Sequence, residues 1–432
     1  MLGVAFTLRK MVGTWLLPGV LFAIFWFLYT FVPLIFVPEI QVNYLSIAYI
    51  LCCVLAFCAS SMFFDWKSSF EANSVKSKSR PYFDGAFIKA SFVASSMSSL
   101  VFFLVNMLVQ GISIGEMFTD TLNVAGRYIA MRYEGTLQEN LYSKISLAFS
   151  YLSVSLGGLV FGQERKTMRR TGVMLLAFVP AFSSMLFQGD KGLLFLFITL
   201  FYAGFLVTQV FRAELKLYDR DLLKLGAVLF LLVVPAVIAA FLSRGLQSES
   251  DSYYVASRLS FYLRSYAFGH LYAFDDWFRS YSGDISQVSY AYEDAGYGFY
   301  TFMSIFNLLG AGREVPHGVY EEYYFFGEVL STNIYTMFRG LIVDFGIAGS
   351  IIFVFLFGFV VHAAFYFLLN TKRPALSVAI FVYSIGYFYT SFIISLMIWN
   401  VIPFSIVLFA MFLAISSMLR SESDPLSLVK IQ

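Results

Sequence analysis

The chain alternates long apolar runs with short polar segments, and most of the apolar runs are long enough to cross a membrane. A helix that spans the hydrocarbon core of a bilayer needs about 20 predominantly apolar residues. Backbone groups in hydrocarbon must be satisfied within the segment, so helices are the expected form. The pattern predicts ten transmembrane spans, at 15–37, 44–64, 88–110, 143–162, 172–188, 193–211, 222–242, 342–368, 375–396 and 399–417. Spans five and six are short, and the alternative for them is a hairpin that does not cross fully.

Two longer polar segments interrupt the spans, at 111–142 and at 243–341. Long loops without secondary structure of their own are uncommon unless they carry a function. Inside the second segment, residues 257–281 mix aromatic and charged side chains at helical spacing, which predicts an amphipathic helix at the membrane interface. The predicted organisation is a bundle of seven spans (1–242), a large loop, and three C-terminal spans with a tail (342–432).

The composition excludes a water-soluble globular protein. The chain is 59% hydrophobic and 13% charged, whereas about a quarter of the residues in a soluble domain are charged. Cys52, Cys53 and Cys58 lie in one apolar run without metal-ligand spacing, so we expect small core residues and no disulfide. Arg9 and Lys10 precede an apolar run that is too long for a signal peptide, which favours a retained first span.

The distribution of Lys and Arg predicts the orientation of the spans. Cytoplasmic loops of membrane proteins carry an excess of these residues, and short loops are the informative ones. Placing the N-terminus in the cytoplasm puts most of the basic residues on that side, including Arg165, Lys166, Arg169 and Arg170 between spans four and five. Both ends of the chain are then predicted to be cytoplasmic, and the loop 243–341 lies outside.

Three cations depart from this rule and lie at the predicted outer boundary of the membrane. Lys191 lies in the turn "FQGDKGLL", Arg244 follows span seven, and Arg339 precedes span eight. Because arginine forks bind phosphate oxygens in pairs and lysine adds a point charge, the group predicts a site for a lipid-linked phosphate or pyrophosphate. The alternative is that each cation snorkels to lipid headgroups. Other outer arginines that can join the group are Arg127, Arg132, Arg258 and Arg264.

Asp344 follows Arg339 by about one turn, and we expect it to orient the guanidinium. The alternative is a helix start, where an acidic residue is favourable in any case.

The large loop also holds the candidates for a general base. His270 and His317 are the histidines of the outer segments, and a histidine can take a proton from a sugar hydroxyl near neutral pH. The alternative is a pair of ordinary loop histidines. Acidic pairs are further candidates, or else solvated loop charges; they are Asp275–Asp276, Glu293–Asp294 and Glu321–Glu322. The sequence contains no zinc-ligand spacing and no glycine-rich phosphate loop, so no metal site is expected.

One stretch resembles a known family. "TNIYTMFRGLIVDFGIAGSIIF" (332–353) is similar to a signature of the Wzy-type O-antigen polymerases, the bacterial oligosaccharide repeat-unit polymerases. The matching residues are Asn333, Tyr335, Thr336, Arg339, Asp344, Phe345, Gly346 and Gly349. "FQGDKGLLFLFITL" is similar to the Gly-x-basic-Gly turn of that family, although arginine is more usual where Lys191 stands. "FYLRSYAFGHLYAFDDWF" is similar to the aromatic segment of the family's large periplasmic loop.

The resemblance implies an all-α membrane protein of the bacterial inner membrane, with a fold similar to GT-C glycosyltransferases. The implied enzyme transfers a growing glycan en bloc from undecaprenyl pyrophosphate to the non-reducing end of a new lipid-linked repeat unit, at the periplasmic face. It needs no metal, no nucleotide sugar and no other cofactor. The implied partners are the lipid-linked oligosaccharides, membrane lipids, a chain-length regulator, a flippase and a ligase, and no nucleic acid is expected.

The resemblance, taken with the charges described above, implies a role for each candidate residue. The residues expected to bind pyrophosphate are Arg339, Arg244, Lys191, Arg258, Arg264 and Arg127. The candidates for the catalytic base are His270, His317, Glu321 and Glu322, and the orienting residues are Asp344, Asn333 and Tyr335. Two alternatives stay open: an O-antigen ligase that transfers to lipid A core, and a flippase or transporter, whose repeated halves and broken helices are not evident here.

Overall fold

The computed structural model describes residues 1–77, 83, 85–242, 246, 251–290, 295–311 and 319–422, and these are mostly helical. The helices are α1 (Leu2–Val12), α2 (Pro18–Phe36), α3 (Tyr44–Ala59), α4 (Trp66–Ser77), α5 (Gly85–Val109), α6 (Ile114–Thr119), α7 (Thr121–Tyr133), α8 (Leu141–Gln163), α9 (Thr167–Gln188), α10 (Lys191–Phe211), α11 (Arg220–Leu242), α12 (Ser252–Ala267), α13 (Gly269–Tyr281), α14 (Phe299–Leu308), α15 (Thr336–Asn370), α16 (Ala375–Thr390) and α17 (Val401–Glu422). Two short antiparallel strands, β1 (Tyr324–Phe326) and β2 (Leu330–Thr332), form a hairpin.

Within the described residues, nine helices are long and apolar enough to cross a membrane, so the prediction of a multi-pass helical membrane protein is confirmed. They are α2, α3 with the turn that follows it, α5, α8, α9, α10, α11, α15 and α17. The helices α9 and α10 have 22 and 21 residues. Each is therefore long enough to cross by itself, and a short hairpin is not needed to explain spans five and six.

The ninth predicted span, 375–396, is shorter in the structure. Helix α16 ends at Thr390 after 16 residues. The chain beyond it bonds to other segments of the protein: the carbonyl of Ser391 accepts a hydrogen bond from Met337 N at 2.8 Å, and the hydroxyl of Ser395 donates to the carbonyl of Thr301 at 2.8 Å. The first bond satisfies the Ser391 carbonyl, which a continued helix would have paired internally, and the second attaches the segment after α16 to Thr301.

The described elements belong to two compact units whose segments are interleaved along the chain. The first contains Met1–Lys67, Ser250–Tyr366 and Ser384–Pro403. The second contains Ser68–Glu249, Phe367–Tyr383 and Phe404–Gln432. The sequence pattern predicted three consecutive parts instead, because hydropathy along the chain carries no information about which spans pack together.

Aromatic side chains form the core of the first unit. The rings of Phe22 and Phe57 stack with centroids 4.3 Å apart, and Trp26 lies 4.4 Å from Phe338. Phe388 closes this group against Phe22 at 5.1 Å. Offset and edge contacts of this kind stabilise a core beyond the area that they bury. The contacts join α2, α3, α15 and α16 and give the first part of α15 a rigid support.

The amphipathic helix predicted over 257–281 is two helices, and the second of them is buried. Every residue of α13 from Gly269 to Phe278 is buried, so the prediction of an interfacial position is wrong for α13. Its two acids pair with backbone and hydroxyl groups inside the unit: Asp275 Oδ1 accepts from Asn43 N at 3.0 Å and from the Ser46 hydroxyl at 2.6 Å. Asp276 accepts from Gln287 N at 2.7 Å. Hydrogen bonding offsets the cost of burying these charges.

The second unit is built around α8, which packs against α5, α9 and α10. Serine hydroxyls join α5 to α8, with Ser96 bonded to Ser153 and Ser99 to Ser150, both at 2.5 Å. Where α8 meets α10, a Cβ atom on Gly158 would lie 2.0 Å from the carbonyl oxygen of Phe201. Small residues that allow close packing and interhelical hydrogen bonds are common means of helix association in membranes, where the hydrophobic effect does not drive helices together.

Candidate functional site

Arg339 lies fully buried in the first unit, near the start of α15. Helix α15 begins at Thr336, whose φ of 67° is unusual for a β-branched residue. Two contacts compensate for this conformation: the Thr336 hydroxyl accepts from Phe338 N at 3.2 Å, and Met337 N donates to Ser391 O at 2.8 Å. The exposed fraction of Arg339 is 0%. The anchored first turn therefore fixes the position of the Arg339 backbone.

Four aromatic rings surround the guanidinium of Arg339 and form what we call the aromatic cage. Its Cζ atom lies 3.9 Å from the ring centre of Tyr320 and 4.4 Å from that of Tyr335. The rings of Trp277 and Tyr290 complete the cage, each at 5.5 Å. Aromatic faces attract cations, and more strongly when the cation is removed from water. The cage thus holds a charged group away from solvent without neutralising it.

Among the described residues, a carboxylate that meets Arg339 is that of Glu322, whose Oε2 lies 3.1 Å from Nη2. The hairpin explains this pairing, because its register places the residues before β1 opposite those after β2. The Tyr335 hydroxyl donates to the carbonyl of Glu322 at 2.9 Å, and Asn333 Nδ2 donates to the carbonyl of Tyr320 at 3.3 Å. The side chain of Glu322 is 18% exposed while that of Arg339 is fully covered. Glu322 is thus the part of the pair that solvent reaches.

Asp344, which we expected to orient Arg339, holds a different element. Its Oδ2 accepts from Thr301 N at 2.7 Å and from the Thr301 hydroxyl at 2.6 Å, and its Oδ1 accepts from Tyr300 N at 3.1 Å. These are donors of the first turn of α14, so Asp344 caps that helix from outside it. The chain leaves room for the carboxylate at Gly296, where a Cβ atom would lie 2.0 Å from Oδ1. Asp344 thus contacts α14, whereas Glu322 contacts Arg339.

Gly346 interrupts α15 two residues after Asp344. Its φ of 70° and ψ of 175° fall in a region that is essentially restricted to glycine. The break separates a short section, which carries both Arg339 and Asp344, from the long apolar part of the helix. The Asp-Phe-Gly sequence thus combines a cap for α14 with a change of direction in α15.

The other cations of the predicted cluster have partners of their own. Arg264 pairs with Glu39 at 3.5 Å, and Arg258 lies exposed on α12 against the ring and hydroxyl of Tyr254. In the second unit, Arg127 pairs with Glu116 at 3.3 Å, and Lys191 lies 4.0 Å from the ring centre of Phe241. Arg244 lies outside the described residues, so its place in the cluster stays a prediction.

The candidate bases differ widely in their surroundings. His270 is 1% exposed, and its Nε2 lies 2.9 Å from the carbonyl oxygen of Tyr29, which leaves no access for a sugar hydroxyl. Burial lowers the pKa of His270 to about 4, so the ring is neutral at physiological pH. Glu321 is exposed beside the paired Glu322. His317 lies outside the described residues, as does the pair Glu293–Asp294.

The comparisons with known proteins identify no relative of this chain: no family model, no curated protein and no solved structure matches it. Within the described ranges, no group of three or more His, Cys, Asp or Glu residues could hold a metal ion.

Two features of this site, the ion pair and the aromatic cage, do not follow from the hydropathy pattern. The pairing of Glu322 with Arg339 depends on the β-hairpin, and a signal for it was present in "YYFFGEVLST", where Gly327 separates two short runs rich in strand-forming residues. The rings of Trp277, Tyr290 and Tyr320 come from three separate segments of the loop. Only folding brings them around one guanidinium.

Proposed function

We propose that this protein polymerises lipid-linked oligosaccharide repeat units, transferring the growing glycan from undecaprenyl pyrophosphate to a new unit at the periplasmic face of a bacterial inner membrane. One observation carries the proposal. The arginine at the centre of the resemblance is the cation of a built, desolvated site, and Asn333, Tyr335, Asp344 and Gly346 hold the segments around it. A sequence motif with only a packing role would not need a buried charge at its centre.

The leaving group defines what Arg339 would do. Pyrophosphate gains negative charge as its bond to the sugar breaks, and a cation aimed at that charge lowers the barrier by roughly 3–4 kcal/mol. In the proposed reaction the pyrophosphate oxygens take the place of the Glu322 carboxylate on the guanidinium fork. Because the cage excludes water, the interaction between the two charges is stronger than it would be at the surface.

The displaced Glu322 is the base that we propose. It takes the proton from the acceptor hydroxyl as the oxygen of that hydroxyl bonds to the anomeric carbon of the donor. The bond between that carbon and the pyrophosphate oxygen breaks, and undecaprenyl pyrophosphate leaves with the electron pair. What supports this choice is that the Glu322 carboxylate contacts Arg339 in the part of the chain that the structure describes. Donor and acceptor, with the surrounding lipid, are the only partners that this chemistry requires.

A reconstitution experiment tests the proposal. Purified protein in liposomes receives synthetic undecaprenyl-pyrophosphate repeat units of the host glycan, with no metal and no nucleotide sugar, and the products are separated on a gel. We expect a ladder spaced by one repeat unit. Folded protein that yields no ladder with its native substrate contradicts the proposal. Transfer to added lipid A core would then identify a ligase, and movement of the substrate across the bilayer a flippase.

A further inference from the structure

The second unit contains a polar cavity that the proposed reaction does not use. It has a volume of about 160 Å³ and lies where α5 and α9 end and α8 and α10 begin. Ser143, Ser146 and Ser150 line it from one face of α8, at helical spacing. Polar groups among membrane helices are costly, so a concentration of hydroxyl and amide groups here needs an explanation.

One buried donor of this cavity is unsatisfied. Asn106 is 1% exposed and lines the cavity, and its Oδ1 accepts from Asn140 Nδ2 at 2.8 Å. Its Nδ2 makes no hydrogen bond of ordinary distance and angle among the described residues, although the Tyr128 hydroxyl is nearby. A buried amide donor without a partner costs free energy. A ligand with an acceptor oxygen in the cavity would recover it.

The charges that line the cavity cancel, which decides the class of ligand. Arg132 reaches Asp190 through both arms of its fork, with Nη1 to Oδ1 at 2.7 Å and Nη2 to Oδ2 at 3.3 Å. A phosphate would have to compete with Asp190 for the guanidinium and would meet its negative charge. An uncharged ligand would neither compete with Asp190 for the guanidinium nor be repelled by the Asp190 carboxylate. The sequence grouped Arg132 with the predicted pyrophosphate-binding cations. In the structure it lines this cavity, which we call the neutral cavity because its two charges cancel.

The remaining groups suit a sugar ring. Gln188 donates to the Tyr128 hydroxyl at 3.2 Å and accepts from Ser184 at 2.8 Å, so donors and acceptors alternate along one wall. The ring of Tyr128 and the side chain of Phe103 supply apolar surface for the CH groups of a sugar. A cavity of about 150 Å³ accommodates one six-membered carbon ring, and this one has a similar volume. Arg132 is 38% exposed at its rim, which leaves a route for entry.

From these observations we infer that the cavity binds a single uncharged sugar ring, supplied either by a glycan or by the headgroup of a glycolipid. The inference stands on binding geometry alone and holds whether or not the protein is a polymerase. Two segments would contact the sugar: the Tyr128–Arg132 segment of α7, and the turn that contains Gln188 and Asp190.

Cysteine protection tests the inference. The background has Cys52, Cys53 and Cys58 replaced by alanine. In it, Ser184→Cys and Ser143→Cys each introduce a thiol at the cavity. The control is Ser183→Cys, a neighbouring position that does not line the cavity. The protein is held in phosphatidylcholine nanodiscs, since detergents with sugar headgroups would compete. The initial rate of labelling by a small methanethiosulfonate reagent is measured with methyl glycosides of glucose, galactose, mannose, rhamnose and N-acetylglucosamine.

At about ten times its Kd, a bound glycoside leaves roughly one site in ten open, so labelling at Ser184→Cys and Ser143→Cys should slow about tenfold. Labelling at Ser183→Cys should not change, and adding Asn106→Leu should remove the protection. Protection by a glycolipid in the nanodisc, but not by free glycosides, identifies the headgroup as the source and also supports the inference.

Three results would overturn the inference: unchanged labelling at both lining positions with every glycoside and glycolipid, equal slowing at Ser183→Cys, or protection by inorganic pyrophosphate alone. If neither cysteine variant folds, saturation-transfer NMR of the unmodified protein with the same glycosides decides the matter. Saturation-transfer signals that are lost in the Asn106→Leu variant support the site. If no glycoside shows saturation transfer, the site is refuted.

Discussion

At the scale of single residues, the site depends on one buried ion pair inside an aromatic cage. Removing two charges from water is costly, and the attraction between them offsets that cost only when the geometry is good. Glu322 and Arg339 meet at 3.1 Å, and Tyr320 covers the guanidinium at 3.9 Å. Such a pair is weak evidence for stability alone. Under the proposed function, the arginine is a charge kept ready for a ligand that can replace the carboxylate.

Arg339→Lys tests this role, because lysine keeps the charge but loses the planar fork and its two parallel hydrogen bonds. We expect the rate of ladder formation in liposomes to fall on the order of 10²-fold, the loss typical of one misplaced transition-state donor. The matched control is Arg373→Lys, an exposed arginine between α15 and α16, which should polymerise at the normal rate. Wild-type ladders from Arg339→Lys would exclude a bidentate phosphate contact.

Asp344→Ala tests the capping role of that residue. It removes an acceptor from three donors of the first turn of α14, so the free energy of unfolding should fall by about 1–3 kcal/mol. Thermal unfolding in detergent measures the loss, and Glu328→Ala, an exposed acid in the hairpin turn, should show none. If Asp344 instead orients Arg339, Asp344→Asn will abolish polymer formation while the unfolding temperature stays unchanged.

At the scale of elements, the break in α15 lets one helix carry both a site and a membrane span. The ten residues before Gly346 bear the buried charges, and the residues after it are almost entirely apolar. A straight helix would direct the two sections along one axis. The glycine changes the direction of the chain, and the hairpin β1–β2 then brings Glu322 back against the first section.

Gly346→Ala should therefore be destabilising, although alanine favours helices. The residue has φ of 70° and ψ of 175°, and forcing an L-residue into that region costs about 1–3 kcal/mol. Gly226→Ala in α11 is the control, since nothing lies within 4 Å of its added Cβ atom and its φ is not positive; there alanine should be neutral or slightly stabilising. Equal unfolding temperatures for the two variants would argue against a required break.

At the scale of the whole molecule, two units draw their segments from distant parts of the chain. The first contains the aromatic cage and the second contains the neutral cavity. Each unit satisfies its polar groups in its own way: the first through capping carboxylates and the second through serine hydroxyls between helices. Both solutions keep polar groups paired where water is scarce.

The cysteines supply a test of the whole fold. Cys53 and Cys58 are buried and Cys52 is exposed, and the three thiols form no disulfide. Replacing all three by alanine deletes only small side chains, so the protein should insert normally and form ladders at a measurable rate. Complete loss of polymer at normal expression would reveal a thiol function. The expected result also validates the background for the labelling experiment.

Much of this protein could be predicted from sequence, because hydropathy and short motifs are local properties of a chain. Nine of the ten predicted spans match long apolar helices among the described residues, and these spans, the membrane location and the motif around Arg339, Asp344 and Gly346 follow from stretches of about twenty residues. The orientation of the spans and the activity stay predictions.

Only the tertiary structure decided which side chains meet. It paired Arg339 with Glu322, which lies 17 residues away along the chain, and it placed Asp344 on α14, more than 40 residues away. It also buried His270 and assembled the neutral cavity from five helices. These outcomes depend on packing between distant segments, where a buried charge takes whichever partner the folded backbone brings within reach. Sequence periodicity cannot specify that partner.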